Sequence, residues 1–449
     1  MCSHRPWILC LALFAWTACD KSSGQPKEDA DTAVGDERDA GPEHDDASAS
    51  GRDAASADHD SGARSMDAST SAEDGGNASD AARDAAADAG RDASLDADIL
   101  TIAPPEHTFV YVAGYSDDDG LRMFEIDRTS FALTPIAQDA AVGPQPSWLT
   151  PSVDGRTLYV ANEDDSNAGI TVLRLNEETH VPMRVDHEDA ITSSFVFSSL
   201  APDGKHLLAA SYNGGNVAVY PVKPDGTLDP RVDARDFGAG AQAHAVRVHP
   251  SGKWAYVPTK GLDSVAQLKY DTATGKLTDN TPATFTAEPS ASAFAGPRHI
   301  AFSRDGKLAF VILENGNALF SLSIQSDGTL LEADHKAREA DNTGVAHTGA
   351  HVLAHPKANF VYGSNRVSNT LVAFSYDAQG KLTLIGRVPT RGDTPRDFDI
   401  DPLGKFLIVA NQDGNSVAVF AIEESGALTA KGNVVTGLKS PAAVAIVAR

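Results

Sequence analysis

Cysteine is nearly absent from this 449-residue chain: the three present, Cys2, Cys10 and Cys19, all fall in the first nineteen residues. Past that point the chain can form no disulfide and offers no thiol nucleophile or thiolate metal ligand. Aromatic residues are missing from Asp20 to Thr108. A stretch without them cannot bury enough apolar surface to offset its ordering entropy, so disorder is expected there. Basic residues are scarce, 37 Lys and Arg against 62 Asp and Glu, for a formal charge of −25. That balance excludes nucleic acid and anionic membrane surfaces as natural partners. Long apolar runs are lacking too; the run from Trp7 to Trp16 is too short to span a bilayer permanently.

Residues 1–19 read as a secretory signal, with Arg5 ahead of that run and Thr17-Ala18-Cys19 after it. A small residue directly before cysteine resembles the lipobox of bacterial lipoproteins, although Trp16 stands where Leu is usual. The resemblance implies cleavage before Cys19 and its diacylation, hence an extracytoplasmic protein held to a bacterial membrane only through that lipid anchor. Residues 20–104 follow as an Asp/Ala/Ser/Gly-rich linker with 22 acidic and 7 basic residues. As a flexible tether it would span on the order of 50 Å, and like-charge repulsion would extend it.

Residues 105–449 repeat. Alternating apolar strands are separated by turns such as Asp154-Gly155, Asp203-Gly204 and Asp305-Gly306, and Thr157 to Asn162 corresponds to Phe406 to Asn411. The ends of the second strand of each unit align at Gly114, Asn162, Ser211, Thr259, Leu313, Asn365 and Asn411, spaced by 48, 49, 48, 54, 52 and 46 residues. Four short antiparallel strands in a unit of that length are the pattern of a propeller blade. The expected fold is therefore all-β, a seven-bladed β-propeller. The last strand, Pro441 to Val447, has no unit after it, whereas the first unit lacks an inner strand. The C-terminal strand is expected to complete the first blade and close the ring, removing an exposed sheet edge.

Ligand sites in such rings surround the axis. One position near the start of the inner strands reads Ser147, Val196, His244, Arg298, Ala350 and Arg396, and the next reads Trp148, Phe197, Ala245, His299, His351 and Asp397. Just past the second strands stand Tyr115, Glu163, Tyr212, Lys260, Glu314, Arg366 and Gln412. These polar residues either pair and plug the channel or bind a ligand.

Gly296-Pro297-Arg298-His299, Glu314, Ser364-Asn365-Arg366, Pro395-Arg396-Asp397-Phe398 and Ala410-Asn411-Gln412, in this order at blade spacing, resemble the seven-bladed lactonase family, which includes propeller 6-phosphogluconolactonases and carboxymuconate cyclases. The resemblance covers about residues 107–447. It implies a catalytic site on His244, Arg298, Glu314 and Arg366, with Arg396, His299, His351 and Gln412 as substrate-binding candidates. Lactone opening needs a base for water, donors for the developing oxyanion and cations for an acidic group. His244 or Glu314 suits the first role, and the arginines suit the others. The expected activity is a 6-phosphogluconolactonase-like hydrolase acting on an acidic lactone, a monomer needing no metal or organic cofactor. A lactone cyclase would use the same residues, and a non-catalytic exported propeller that binds a ligand or protein is the reading of a different class.

The chain departs from the family in blade 3, where Ser194-Phe195-Val196-Phe197 replaces a Pro and His, at Gln242 and Thr259, and at His351, where Glu is usual. Asp117-Asp118-Asp119-Gly120 lacks the remaining ligands of a calcium loop and reads as a hairpin tip. His249, His335, His347 and His355 show no zinc spacing. Gly238-Ala239-Gly240, with no helix following, does not make a dinucleotide site.

Overall fold

The computed structural model describes residues 105–449 apart from 116–119, 140–141, 166, 192, 288–293 and 339–347. The expected signal 1–19, the linker 20–104, Asp117 to Asp119 and His347 lie outside the described residues. Within them, 28 strands form seven four-stranded antiparallel sheets. Six sheets take their strands consecutively from the chain, and the seventh places the C-terminal strand Pro441–Ala448 against Thr108–Gly114. All seven second-strand ends fall where the repeat put them. Blades are numbered here from the sheet that holds the C-terminal strand.

Period-two alternation explains the blade stacking, because successive side chains leave opposite faces of a strand. In blade 2, Leu158 and Val160 pack toward blade 1, while Tyr159 and Ala161 pack toward blade 3. Equivalent apolar clusters join blades 4 and 5, 5 and 6, 6 and 7, and 7 and 1. Polar staples reinforce them. Tyr111, Tyr159, Tyr256 and Tyr362 donate their hydroxyls to the carbonyls of His180, Gly226, Gly328 and Gly426 in the following blade, at 2.8 to 3.0 Å. His249 and His355 reach Gly306 O at 2.7 Å and Gly404 O at 2.9 Å in the same way, which gives both histidines a structural use. Across the closure between blades 7 and 1, Arg128 grips buried Asp401 with two bonds, of 2.7 and 2.8 Å.

One end of the ring has a device of its own. In the inner strands of blades 2, 3, 5, 6 and 7, and in the closing strand, pairing slips just after the strand begins, as between Pro146↔Asn162 and Trp148↔Ala161. Such a bulge re-aims the extra residue. In blades 2, 3, 5 and 7 the residue passed over is Ser147, Val196, Arg298 or Arg396, members of the expected axial row. Before the inner strands stand Gln145, Ser194, Gln242, Gly296, Thr394 and Ser440, all with positive φ.

Candidate active site

Seven backbone bonds fix the mouth of the channel. The N–H groups of Tyr115, Glu163, Tyr212, Lys260, Glu314, Arg366 and Gln412 donate to the carbonyls of Ser440, Gln145, Ser194, Gln242, Gly296, Thr348 and Thr394, at 2.7 to 3.2 Å. Every blade thereby holds its residue after the second strand at one height, and all seven are half-buried. They form the floor of the mouth. The row beneath is mostly buried: Ser147, Val196, His244, Arg298, Ala350 and Ala442. The space among Arg298, His299, Arg396 and Asp397 has no room for a water, so a ligand at this end rests on the floor rather than in the axis.

Glu314 organises one half of that floor. Its Oε1 receives Lys260 Nζ at 3.0 Å and Arg366 Nη2 at 3.1 Å, while its Oε2 lies 3.2 Å from Arg298 Nε and 3.9 Å from His244 Nε2. Burial favours protonation of this carboxyl, but the cations Arg298, Arg366 and Lys260 outweigh it and hold Glu314 well below the usual carboxylate range. Burial, with Arg298 adding to it, holds His244 well below 6.5, so the ring is neutral. Arg298 is brought down to about 9 by burial and by Arg366 and Arg396, and stays cationic at neutral pH. Of the two candidate bases, His244 is thus neutral, whereas Glu314 is ionised and already shared among cations.

Arg396 belongs to the other half, bonding the Tyr115 hydroxyl and lying 3.4 Å from Glu163 Oε2, with Tyr115 also bonded to Glu163. Gln412 occupies its place on the floor through its backbone N–H. His299 and His351 do not reach the floor. They lie a layer deeper, 1–2% exposed, with their Nδ1 atoms 2.7 Å apart, and pack edge-on to Trp148. Arg298 Nη1 donates to His299 Nε2 at 3.2 Å. His299 Nδ1–H therefore donates to His351 Nδ1, leaving His351 Nε2–H to face Asp397 Oδ1 at 3.8 Å. The two rings position Arg298 from below.

The site selection from sequence passed over Lys260, Tyr212, Tyr115 and Glu163, although the row that supplied Glu314 and Gln412 contains all four. Lys260 is the clearest loss, since its Nζ bridges Glu314 and the Tyr212 hydroxyl, the latter at 2.9 Å. A larger groove, about 560 Å³ between blades 2 and 3, opens at the opposite end among exposed groups such as Arg156 and Glu177. It carries none of the axial charged cluster.

The sequence profile described as Lactonase, 7-bladed beta-propeller, matches residues 109–446. The chain belongs to this family. Among curated lactonase-family relatives, it is 30% identical over 322 residues to the 6-phosphogluconolactonase of Serratia proteamaculans, covering 69% of this chain and 87% of that protein. It is 26% identical over 312 residues to the 6-phosphogluconolactonase of Bacillus subtilis, covering 67% and 87%. Among solved structures, the periplasmic gluconolactonase of Pseudomonas aeruginosa is 27% identical with a TM-score of 0.70, over 76% of this chain and 99% of that one. For a lactonase-family member, the mouth described above offers a neutral imidazole, an orienting carboxylate and a bank of cations within one small area.

Proposed function

We propose that this protein is a lactonase-like hydrolase that opens an acidic lactone at the axial mouth. The observation that carries the reading is the convergence of His244, Arg298, Lys260 and Arg366 on Glu314. His244 takes a proton from the attacking water, and the carbonyl oxygen, as it becomes negative, is received by Arg298 and Arg366. Glu314 offsets the charge that the imidazole gains. When the ring C–O bond breaks, the same proton passes to the leaving alkoxide, releasing a hydroxy acid. Arg396 and Lys260 take the acidic group of the substrate. The presence of 6-phosphogluconolactonases and a periplasmic gluconolactonase among the relatives supports a sugar-acid lactone. The signal-like N-terminus supports an extracytoplasmic protein anchored through lipidated Cys19.

The test is proton release from a panel of acidic and neutral lactones by the full chain. Wild type should open an acidic lactone, and Arg298→Ala should lose roughly 100-fold or more in turnover with an unchanged circular dichroism spectrum. Full activity in Arg298→Ala would remove the assignment. The paired state of the mouth, together with apolar Val196 and Phe197 in blade 3, favours as a second reading a surface propeller that binds an anionic ligand without turnover. Saturable binding with no product would select it.

A further inference from the structure

Below the His299 and His351 rings the axis widens into a chamber of about 200 Å³. Arg247 of blade 4 lines one side, and Asp397 and Asp399 of blade 7 line another. These groups lie one to three residues along the inner strands from the row that supplies the mouth. Asp397 is 2% exposed; its Oδ2 accepts the Val444 N–H at 2.8 Å, while its Oδ1 has no hydrogen-bond partner. Arg247 rests its guanidinium 5.2 Å from the Phe197 ring centre, and its Nε also lacks a partner. No ion pair within 4 Å joins Arg247 to either carboxyl. Asp399 accepts the Ile400 and Ile446 N–H groups at 2.8 Å, one on each oxygen, whereas Arg247 and Asp397 line the shared void with bonding capacity unused, an arrangement that is costly without an occupant. Arg247 and Asp399 are only half-buried, so the chamber opens toward the hairpin-turn end, away from the mouth.

We propose that this lower chamber is a second binding site, for a small carboxylate that also carries hydrogen-bond donors. Its carboxylate lies on the Arg247 fork and its donors, hydroxyl or ammonium, on Asp397 and Asp399. The volume equals that of roughly six or seven waters, which sets the size of the ligand at about as many non-hydrogen atoms. Glycerate and β-alanine have this size and chemistry. The site does not rest on the lactone reading, because it opens at the other end and its Arg247 and Asp399 take no part in the Glu314 cluster.

Titration calorimetry on the full chain tests it, with glycerate and β-alanine as probes and propionate and glycerol as controls lacking the donors or the carboxylate. At least one probe should bind, and both controls should bind at least about tenfold more weakly. The stronger probe shows whether the donors are hydroxyl or ammonium. Arg247→Met should abolish binding and Asp399→Asn should weaken it by about tenfold, whereas Arg366→Lys at the mouth should leave it unchanged. Should Arg247→Met fail to fold, Asp399→Asn carries the test alone. The proposal is overturned if neither probe binds up to about 10 mM, if binding ignores both lower-chamber variants, or if Arg366→Lys abolishes it. Loss of lactone turnover in Arg298→Ala with probe binding intact would separate the two sites, and absence of turnover with probe binding intact would leave this site standing alone.

Discussion

Asp397 gives the sharpest thermodynamic prediction. It sits deep in the axis, 2% exposed, and burial pushes its carboxyl from 3.8 up to about 8. The charged and titratable groups around it are Asp399, raised by burial to about 6, Arg247, Arg298 and neutral His351. Between about pH 4 and 8 the folded protein keeps the Asp397 proton and the unfolded chain releases it. The unfolded state then binds fewer protons, so this group's contribution to stability is full below pH 4 and falls as pH rises toward 8. At about 1.4 kcal/mol per pH unit, the loss between pH 5 and 7 is roughly 3 kcal/mol. Asn at this position keeps an acceptor for the Val444 N–H, which Asp397 now receives at 2.8 Å, and does not titrate. Urea unfolding of wild type and Asp397→Asn at both pH values isolates the term, since other titrating groups cancel in the difference. The advantage of Asp397→Asn over wild type should grow by roughly 2 to 3 kcal/mol from pH 5 to 7. A difference that does not change with pH would refute the burial argument.

Other perturbations separate closure, packing and chemistry. Removal of residues 441–449 takes the partner from Thr108–Gly114 and the donors Val444 and Ile446 from Asp397 and Asp399; a thermal melt should show loss of cooperative unfolding for the whole ring. Gly328→Ala would place a Cβ 2.2 Å from the Trp254 ring at a residue with φ of +78°, and a chemical denaturation curve should show a loss of about 3 kcal/mol. Glu314→Gln leaves Arg298, Arg366 and Lys260 without their shared counter-charge. Sulfate, measured by calorimetry, should bind about tenfold more tightly at the mouth, while lactone turnover, followed by proton release, falls about 100-fold. Tighter anion binding with slower turnover is a split that a purely structural role for Glu314 does not produce.

The ring was legible in the sequence because its causes are local. Alternation sets which face of a strand meets which neighbour, and Asp-Gly turns set where strands end, so Asn162 and Asn411 could be placed at strand ends without any tertiary information. The closing strand followed from counting: one strand too many at the end and one too few at the start. Side-chain partnership was less legible. Arg366 and Lys260 meet Glu314 from different blades, and strand periodicity does not say which of several cations will reach a carboxylate. The sequence alone left the base open between His244 and Glu314; the three cations on Glu314 favour His244 for that role in the proposed reaction. Depth along the axis was read only two rows down. Arg247 is three residues past His244, and Asp399 three past Arg396, two positions beyond the last row, which itself held only Asp397 of the lower chamber's cation and two carboxyls.

The sevenfold N–H to carbonyl tether explains why fold and function separate so cleanly in this chain. Those bonds use main-chain atoms alone, and they hold Tyr, Glu, Tyr, Lys, Glu, Arg and Gln at equivalent positions. Because the side chain takes no part in the tether, its identity is free to change without cost to the ring, and the repeat carries no information about it. The positive φ at Gln145, Ser194, Gln242, Thr394 and Ser440 points the same way. In five of the seven blades the backbone accepts local strain in the segment before the inner strand, which turns a carbonyl toward the residue that will line the mouth. The scaffold thus fixes where seven side chains stand and leaves open what they are. Family membership then follows from the scaffold, while Val196, Phe197 and His351, where this chain departs from the pattern it resembles, lie buried beneath the floor and leave contact with a ligand to the seven side chains above them.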